Sequence, residues 1–122
     1  MPDFGKRELE IMQILWHGGP QTAKEVREQI KDPVADPTVR TMLRILEGKK
    51  AVSHTKRGRA FVYKADVPMR ETAVRMIKDI VSGFFKGNAE ELVKLLREES
   101  MIQPKELERA KRTRPKKKSR KK

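Results

Sequence analysis

The stretch "DPTVRTMLRILEGKKAVSHTKRGRAFVYKAD", residues 36–66, carries the strongest indication of the fold. Its first half has apolar residues at helical spacing, which predicts a short amphipathic helix. Asp36 and Pro37 fit the N-cap and the first position of that helix, and Gly-Lys-Lys at 48–50 fits its end. The residues predicted to face inward are Val39, Met42, Leu43 and Leu46.

The second half of the stretch predicts a β-hairpin. Two short runs rich in β-forming residues, 52–55 and 60–63, are separated by Lys-Arg-Gly-Arg at 56–59. Gly58 accepts the positive φ that tight hairpin turns require. The stretch therefore predicts a helix followed directly by a hairpin with a basic tip.

Two more helices are predicted upstream of this stretch. Gly5 fits an N-cap, with Glu8 reaching back to it and Phe4 stapling onto Leu9. A second capping box starts at Thr22. Three short helices followed by a two-stranded hairpin describe a winged helix-turn-helix, so the predicted fold class is mainly α with a small β-hairpin wing.

A helical region is predicted after Pro68. Residues 69–85 carry a wide apolar stripe, and Asn88 fits the N-cap of a further helix. We expect both helices to pack against their copies in a homodimer, while a self-contained monomeric bundle is the alternative. The residues predicted to make the dimer contact are Val74, Ile77, Val81, Phe84, Phe85, Leu92 and Leu96.

The net charge of +13 over 122 residues is unevenly distributed. Residues 1–66 carry 13 Lys and Arg against 9 Asp and Glu, residues 67–108 carry 7 against 8, and residues 109–122 carry 10 against none. The predicted organisation is a winged-helix DNA-binding domain at 1–67, a helical dimerisation domain at 68–108 and a disordered basic tail at 109–122. Such a tail is expected to add sequence-independent affinity for nucleic acid, and a solubilising tail without a partner is the alternative.

The arrangement of basic residues in the body indicates DNA binding. An α-helix fits the major groove, where Arg bridges a guanine and Thr contacts base edges or thymine methyls. A basic hairpin tip suits backbone phosphates, which fix register without reading sequence. An exposed Thr and Arg face is also common on ordinary solvated surfaces, so the succession of elements carries the argument. The predicted DNA-binding residues are Thr38, Arg40, Thr41, Arg44, Lys56, Arg57 and Arg59.

The sequence resembles the penicillinase-repressor family of winged-helix transcriptional repressors. The resemblance lies in "ELEIMQILWHGGPQTAKEV", "PTVRTMLRILEGK", "GRAFVYKAD" and "FFKGNAEELVKLLREE". It implies a homodimer that binds a pseudo-palindromic operator in double-stranded DNA and blocks transcription. By position, Thr38, Arg40 and Thr41 fall in the family's recognition helix and Gly58-Arg59 in its wing.

The chain departs from that family at several positions. The family usually has Arg where this chain has Ile45, and Gly where it has Lys50, which suggests that Gly48 has taken over the end of the third helix. Members relieved by proteolysis carry an Asn-Phe pair where this chain has Lys-Leu-Leu at 94–96. The resemblance therefore does not support cleavage there. A regulatory protease or sensor partner remains unknown.

The composition argues against other classes of protein. Without Cys there is no thiolate nucleophile, no cysteine-based metal site and no copper switch of the kind some relatives use. His17 and His54 lie far apart without an acidic partner at motif spacing, so neither an enzyme nor a cofactor is predicted.

No apolar run approaches the length of a membrane span, and the N-terminus lacks a signal-peptide core, so we expect a cytoplasmic protein. The alternatives are a non-specific architectural nucleic-acid binder that uses its tail, and a protein-interaction module built on residues 69–98.

Overall fold

A computed structural model describes residues 3–112 of the chain. They form two compact units, of which the first ends at Arg75 and the second begins at Met76. The elements are α1 (Lys6–Gly18), β1 (Gln21–Thr22), α2 (Ala23–Gln29), α3 (Asp36–Gly48), β2 (Val52–Arg57), β3 (Ala60–Ala65), α4 (Met69–Phe85), α5 (Ala89–Glu98) and α6 (Pro104–Arg112). Helix α4 begins in the first unit and ends in the second.

The sheet has three antiparallel strands in the order β1-β3-β2, whereas the sequence predicted two. In the added strand, Gln21 pairs with Tyr63 and Thr22 with Val62. The side-chain amide of Gln21 also donates to the carbonyl oxygens of Ile14 and Gly19, both at 3.0 Å. A two-residue strand beside a helix N-cap is too short to show an alternating pattern, so periodicity alone misses it.

The hairpin turn is shorter than predicted. Arg57 pairs with Ala60 across the ladder, so Lys56 and Arg57 belong to β2 and only Gly58 and Arg59 form the turn. Gly58 adopts a φ of 60°, which suits a two-residue turn with glycine at its first position. The predicted role of Gly58 is confirmed, while the four-residue turn is wrong.

The predicted caps of α1 and α2 are confirmed. The Gly5 N–H donates to Glu8 Oε1 at 2.9 Å, and the Glu25 N–H donates to Thr22 Oγ1 at 3.2 Å. The start of α3 differs from the prediction by one residue, because Ala35 is the N-cap. The side chain of Asp36 instead pairs with Arg27.

The end of α3 shows how the chain accommodates Lys50. The helix ends at Gly48 as predicted, but the left-handed residue is Lys50, with a φ of 63°. The N–H of Lys50 donates to the Glu47 carbonyl and that of Ala51 to the Leu46 carbonyl, both at 2.9 Å. This is a Schellman termination, in which glycine is the usual left-handed residue. Gly48 therefore ends the helix without taking over the left-handed position.

The first unit holds the hydrophobic core of the described residues. Met42, predicted to face inward, is only half-buried, and Ile11 is fully buried although the sequence did not single it out. The core residues are Ile11, Met12, Leu15, Val26, Ile30, Val39, Leu43, Leu46, Ala51, Val52 and Tyr63.

The second unit contains the last part of α4 together with α5 and α6. Asn88 caps α5 as predicted, because its Oδ1 accepts from the Glu90 N–H at 3.0 Å. Helix α6 extends to Arg112, so residues 109–112 are helical rather than part of a disordered tail. The rest of the predicted tail lies outside the described residues, and the proposed domain boundary at 67/68 stays a prediction.

Candidate nucleic-acid interface

A groove of about 700 Å³ lies between α3, the start of α2 and the hairpin. Its basic residues come from three elements: Lys24 from α2, Arg40 and Arg44 from α3, and Arg59 from the turn. Arg40 and Arg44 share one face of α3 because they lie four residues apart. The groove thus gathers positive charge from parts of the chain that are distant in sequence.

The predicted residues of α3 divide into two neighbouring sets. Thr38, Arg40, Thr41 and Arg44 are all exposed, as expected. Arg40 and Arg44 line the groove, whereas Thr38 and Thr41 lie on α3 outside its lining. The helix therefore presents an arginine side towards the groove and a threonine side next to it.

The predicted wing residues do not form one patch. Lys56, Arg57 and Arg59 are exposed, but only Arg59 lines the groove. Lys56 and Arg57 are successive strand residues, so their side chains project from opposite faces of the hairpin. The basic tip can consequently contact partners on two sides.

The groove also contains a contact that the sequence analysis did not predict. His54 Nδ1 pairs with the Glu47 carboxylate, which connects the last turn of α3 to strand β2. The His54 ring stacks on Phe61 with ring centroids 4.4 Å apart, and Phe61 is 44% exposed. The only sequence signal was the strand alternation, which assigns residues 52, 54 and 56 to one face.

Glu47 also acts electrostatically on Tyr63, a buried tyrosine that lines the groove. Burial raises the pKa of the Tyr63 hydroxyl, and the Glu47 carboxylate raises it further, while Arg40 and Arg44 act in the opposite direction. Three arginines and one carboxylate thus share this groove. Glu47 is its negative component.

The predicted dimer residues are only partly covered in the chain by itself. Val74, Ile77 and Phe84 are exposed, and Phe84 is 79% exposed. The other predicted residues are half-buried, namely Val81, Phe85, Leu92 and Leu96. Met76, Ile80 and Leu95 are further exposed apolar side chains that the prediction left out. Large apolar side chains left exposed in this number along α4 and α5 are typical of an interaction site.

Comparison with known proteins identifies the family. The family model of the penicillinase repressor matches residues 4–113. The penicillinase repressor of Bacillus licheniformis is 30% identical over 95 residues, which cover 76% of this chain and 74% of that protein. The chain belongs to the penicillinase repressor family.

Two solved structures of this family resemble the fold. The solution structure of the DNA-binding domain of the repressor BlaI is 31% identical and has a TM-score of 0.52, covering 56% of this chain and 85% of that one. The monomeric form of Bacillus licheniformis BlaI, solved in complex with the blaP half-operator, is 30% identical with a TM-score of 0.50, covering 57% and 88%. The predicted winged helix is thereby confirmed.

Two of the departures from the penicillinase-repressor pattern fall at exposed positions on or just after α3. Ile45 is 46% exposed on α3, four residues after Thr41 and therefore on the same side. Lys50 is the exposed left-handed residue after α3. The first changes the chemistry of the threonine side of α3, and the second places a lysine side chain at the left-handed position before β2.

Residues 3–112 bring together no group of three or more His, Cys, Asp or Glu suited to a metal ion. None of the helices in that part of the chain has the length and apolar character needed to cross a membrane.

Proposed function

We propose that the chain is a DNA-binding transcriptional repressor that acts as a homodimer on a pseudo-palindromic operator. One observation carries this proposal: Arg40 and Arg44 of α3 and Arg59 of the wing line the same groove. An exposed helix beside a basic groove suits B-DNA. The helix fits the major groove, and basic side chains next to the helix can contact the phosphates that flank it.

The residues of the groove and of the neighbouring threonine side of α3 suit different parts of the DNA. Arg44 and Thr41 occupy the middle of α3 and are exposed, so we assign them to base edges in the major groove. Arg59 and Lys24 come from the turn and from the first turn of α2, and we assign them to phosphates on either side.

The homodimer is supported by the apolar side chains that the single chain leaves exposed. Ile77 and Phe84 lie seven residues apart on α4, about two helical turns, and so share one side of the helix. A second copy that covers this side would present two copies of α3. Recognition helices about 34 Å apart match half-sites one turn of DNA apart, which is the reason for proposing a pseudo-palindromic operator.

The relatives support the same proposal. The protein of Bacillus licheniformis is a penicillinase repressor, and a solved relative is bound to a half-operator. A repressor acts where the DNA is, so we expect the protein in the cytoplasm. The second candidate is a non-specific architectural protein, and it is favoured by the 10 Lys and Arg of residues 109–122.

The experiment that tests the proposal is fluorescence anisotropy across a salt series. The duplexes are the upstream promoter of the protein's own gene and a scrambled sequence of the same length. The proteins are the full chain, the Arg44→Ala variant and a full-length variant in which every Lys and Arg within residues 113–122 is replaced by Gln. Arg70→Ala is a matched control, because Arg70 is exposed on α4 and is not part of the groove.

We expect the full chain to prefer the promoter by about 10³-fold or more. Arg44→Ala should lose about 1–3 kcal/mol of that discrimination, whereas Arg70→Ala should keep it. The tail variant should bind both duplexes more weakly, with a shallower salt dependence and the same preference. Loss of all binding in the tail variant, with Arg44→Ala unchanged, would instead establish the architectural protein.

A further inference from the structure

The groove beside α3 contains a histidine whose ring is held both at its edge and at its face. His54 Nδ1 pairs with the Glu47 carboxylate of α3. The face of the ring stacks on Phe61 of the neighbouring strand, with centroids 4.4 Å apart and an angle of 25° between the planes. The Tyr63 ring lies 5.4 Å from the same imidazole. Together these contacts restrict rotation of the His54 side chain.

The pairing with Glu47 determines which atom His54 can offer to a ligand. An ionised carboxylate only accepts hydrogen bonds, so Nδ1 carries a proton and Nε2 is the remaining site. Within residues 3–112, Nε2 has no hydrogen-bond partner, and 32% of the side chain is exposed. In the neutral ring Nε2 is an acceptor, whereas in the charged ring it is a donor. Only a charged His54 can therefore donate from Nε2 to an anion.

The other charges of the groove favour an anionic ligand. Four elements contribute its other titratable groups, which are Lys24, Arg40, Arg44, Glu47, Arg59 and Tyr63. Lys56 follows His54 by two residues and lies on the same face of β2. The pKa of the Tyr63 hydroxyl is raised by burial, so this group is neutral near pH 7. An anion that enters the groove thus meets four cations and one carboxylate, and a charged His54 offsets the carboxylate.

We infer that His54 is a phosphate contact of the groove, made in its charged form, and that Glu47 is the positioning residue that holds its ring for this contact. The inference rests on the proposed function, because the phosphate belongs to the operator DNA. DNA phosphates stay ionised at neutral pH, while imidazole is the side chain whose charge changes between about pH 5 and pH 8. Binding to DNA should therefore take up a proton, and the affinity should rise as the pH falls through this range.

A purely structural role of the same pair has a different consequence. If His54 and Glu47 only connect β2 to α3, their loss changes the stability of the winged unit and weakens DNA binding by a similar factor at every pH. If His54 donates to a phosphate, its loss removes the part of the affinity that depends on pH. A pH series on the same variants therefore separates the two roles.

The test is fluorescence anisotropy of the full chain on the promoter duplex and its scrambled counterpart, from about pH 8 to about pH 6. The ionic strength is kept constant, because salt alone changes the affinity. The variants are His54→Gln, Glu47→Gln and Glu47→Ala. His17→Gln is the matched control, because His17 is the only other histidine of the chain and lies in the last turn of α1, outside the lining of the groove. The thermal midpoint of each variant is measured in the same buffers.

We expect the affinity of the full chain for the promoter to rise about five- to tenfold over this range, the scale of one charge-assisted hydrogen bond at a partly exposed site. His17→Gln should keep this rise, and His54→Gln should lose it.

The two variants of Glu47 should differ from one another. Both should bind DNA about two- to fivefold more tightly at pH 8, because a negative charge has left the groove. Glu47→Gln should keep the rise in affinity towards pH 6, since its amide oxygen still accepts from Nδ1. Glu47→Ala should lose most of the rise, because nothing then holds the ring.

Three results would overturn the inference. The first is a folded His54→Gln protein with the pH dependence of the full chain. The second is a full chain whose affinity is the same at both ends of the pH range. The third is an equal rise in Glu47→Gln and Glu47→Ala, which would remove the positioning role of Glu47. All three are compatible with a preference for the promoter, so they are distinguishable from failure of the proposed function, in which the full chain binds both duplexes equally.

Discussion

In the first unit, large apolar side chains such as Ile11, Leu43 and Leu46 are completely buried, and three helices and the sheet supply their surroundings. From Met76 onward, none of the side chains that the structure describes is fully buried, and Phe84 is 79% exposed. The two units use similar residues, since both have leucines, isoleucines and valines at helical spacing. They differ in whether the chain itself supplies a second apolar surface.

This contrast indicates where each unit obtains its stability. A domain of about 70 residues buries enough apolar surface to fold alone, although only by a few kcal/mol. A few helices that leave their apolar side chains exposed do not, because burial against another surface has to offset the loss of conformational entropy. We therefore expect the winged unit to be stable in a monomer and the helical unit to be stable only in the dimer.

The largest effect should come from Phe84→Glu. A carboxylate in the proposed dimer contact loses its water without gaining a partner, which costs about 3 kcal/mol or more in each subunit. We expect a monomer by analytical ultracentrifugation, with reduced helix content by circular dichroism and an unchanged Trp16 fluorescence spectrum. Binding to one half-site should persist, while the preference for a palindrome should disappear.

The control for that substitution is Met101→Glu. Met101 is 70% exposed and follows α5, so it receives the same charge at similar exposure outside the predicted dimer contact. It should remain dimeric. A dimeric Phe84→Glu protein would contradict the proposed dimer contact, because the stripe on α4 would then be an ordinary solvated surface.

The second prediction compares one leucine from each unit. Leu43 is fully buried, so Leu43→Ala should destabilise the winged unit by about 2–5 kcal/mol through lost burial and a residual cavity. Leu95 is exposed in the chain by itself. Leu95→Ala should therefore leave the stability of the winged unit unchanged and weaken only the dimer. Urea denaturation followed by Trp16 fluorescence measures the first effect, and dilution experiments measure the second. A stability loss of equal size for both variants at low protein concentration would contradict the difference between the units.

The third prediction stabilises the winged unit alone. Lys50 occupies a left-handed conformation that costs a non-glycine residue about 1 kcal/mol or more. Lys50→Gly should therefore raise the free energy of unfolding by about 1 kcal/mol, less the extra chain entropy of glycine in the unfolded state. Lys50→Ala is the control, because it removes the same charge but keeps the strained backbone. An equal gain in both variants would assign the effect to charge rather than to φ.

Local features of this chain were predictable because their physical causes are local. The capping boxes at Gly5 and Thr22 and the cap at Asn88 each depend on atoms within three residues, and all three are present. The exposed face of α3 followed from helical spacing for the same reason. The one-residue error at Asp36 arose because Ala35, which lacks a capping side chain, serves as the N-cap.

Features that depend on tertiary contacts were not predictable. The pairing of His54 with Glu47 and the hydrogen bond of Trp16 to Val67 join elements whose approach no sequence spacing reveals. The groove needed the structure as well, since the sequence indicated Arg44 and Arg59 but not that Lys24 and Phe61 would lie beside them. The roles of these residues in DNA binding, and of the stripe in dimerisation, stay predictions.

The smallest expected effect is an acid sensitivity that belongs to the winged unit. The hydrogen bond from Lys49 and that from the Gly5 N–H lower the pKa of the Glu8 carboxyl, and the hydrogen bond from Lys64 lowers that of Asp66. A carboxyl with a lower pKa in the folded state contributes stability above its unfolded pKa and loses it as the pH falls through the folded value. The stability of the winged unit should therefore decline as the pH falls from about 5 towards 3.

Urea midpoints measured between pH 7 and pH 3 check this, and Glu8→Gln should flatten the profile, because glutamine keeps the capping box without titrating. An unchanged slope in a Glu8→Gln, Asp66→Asn double variant would show that other carboxyls control the acid response.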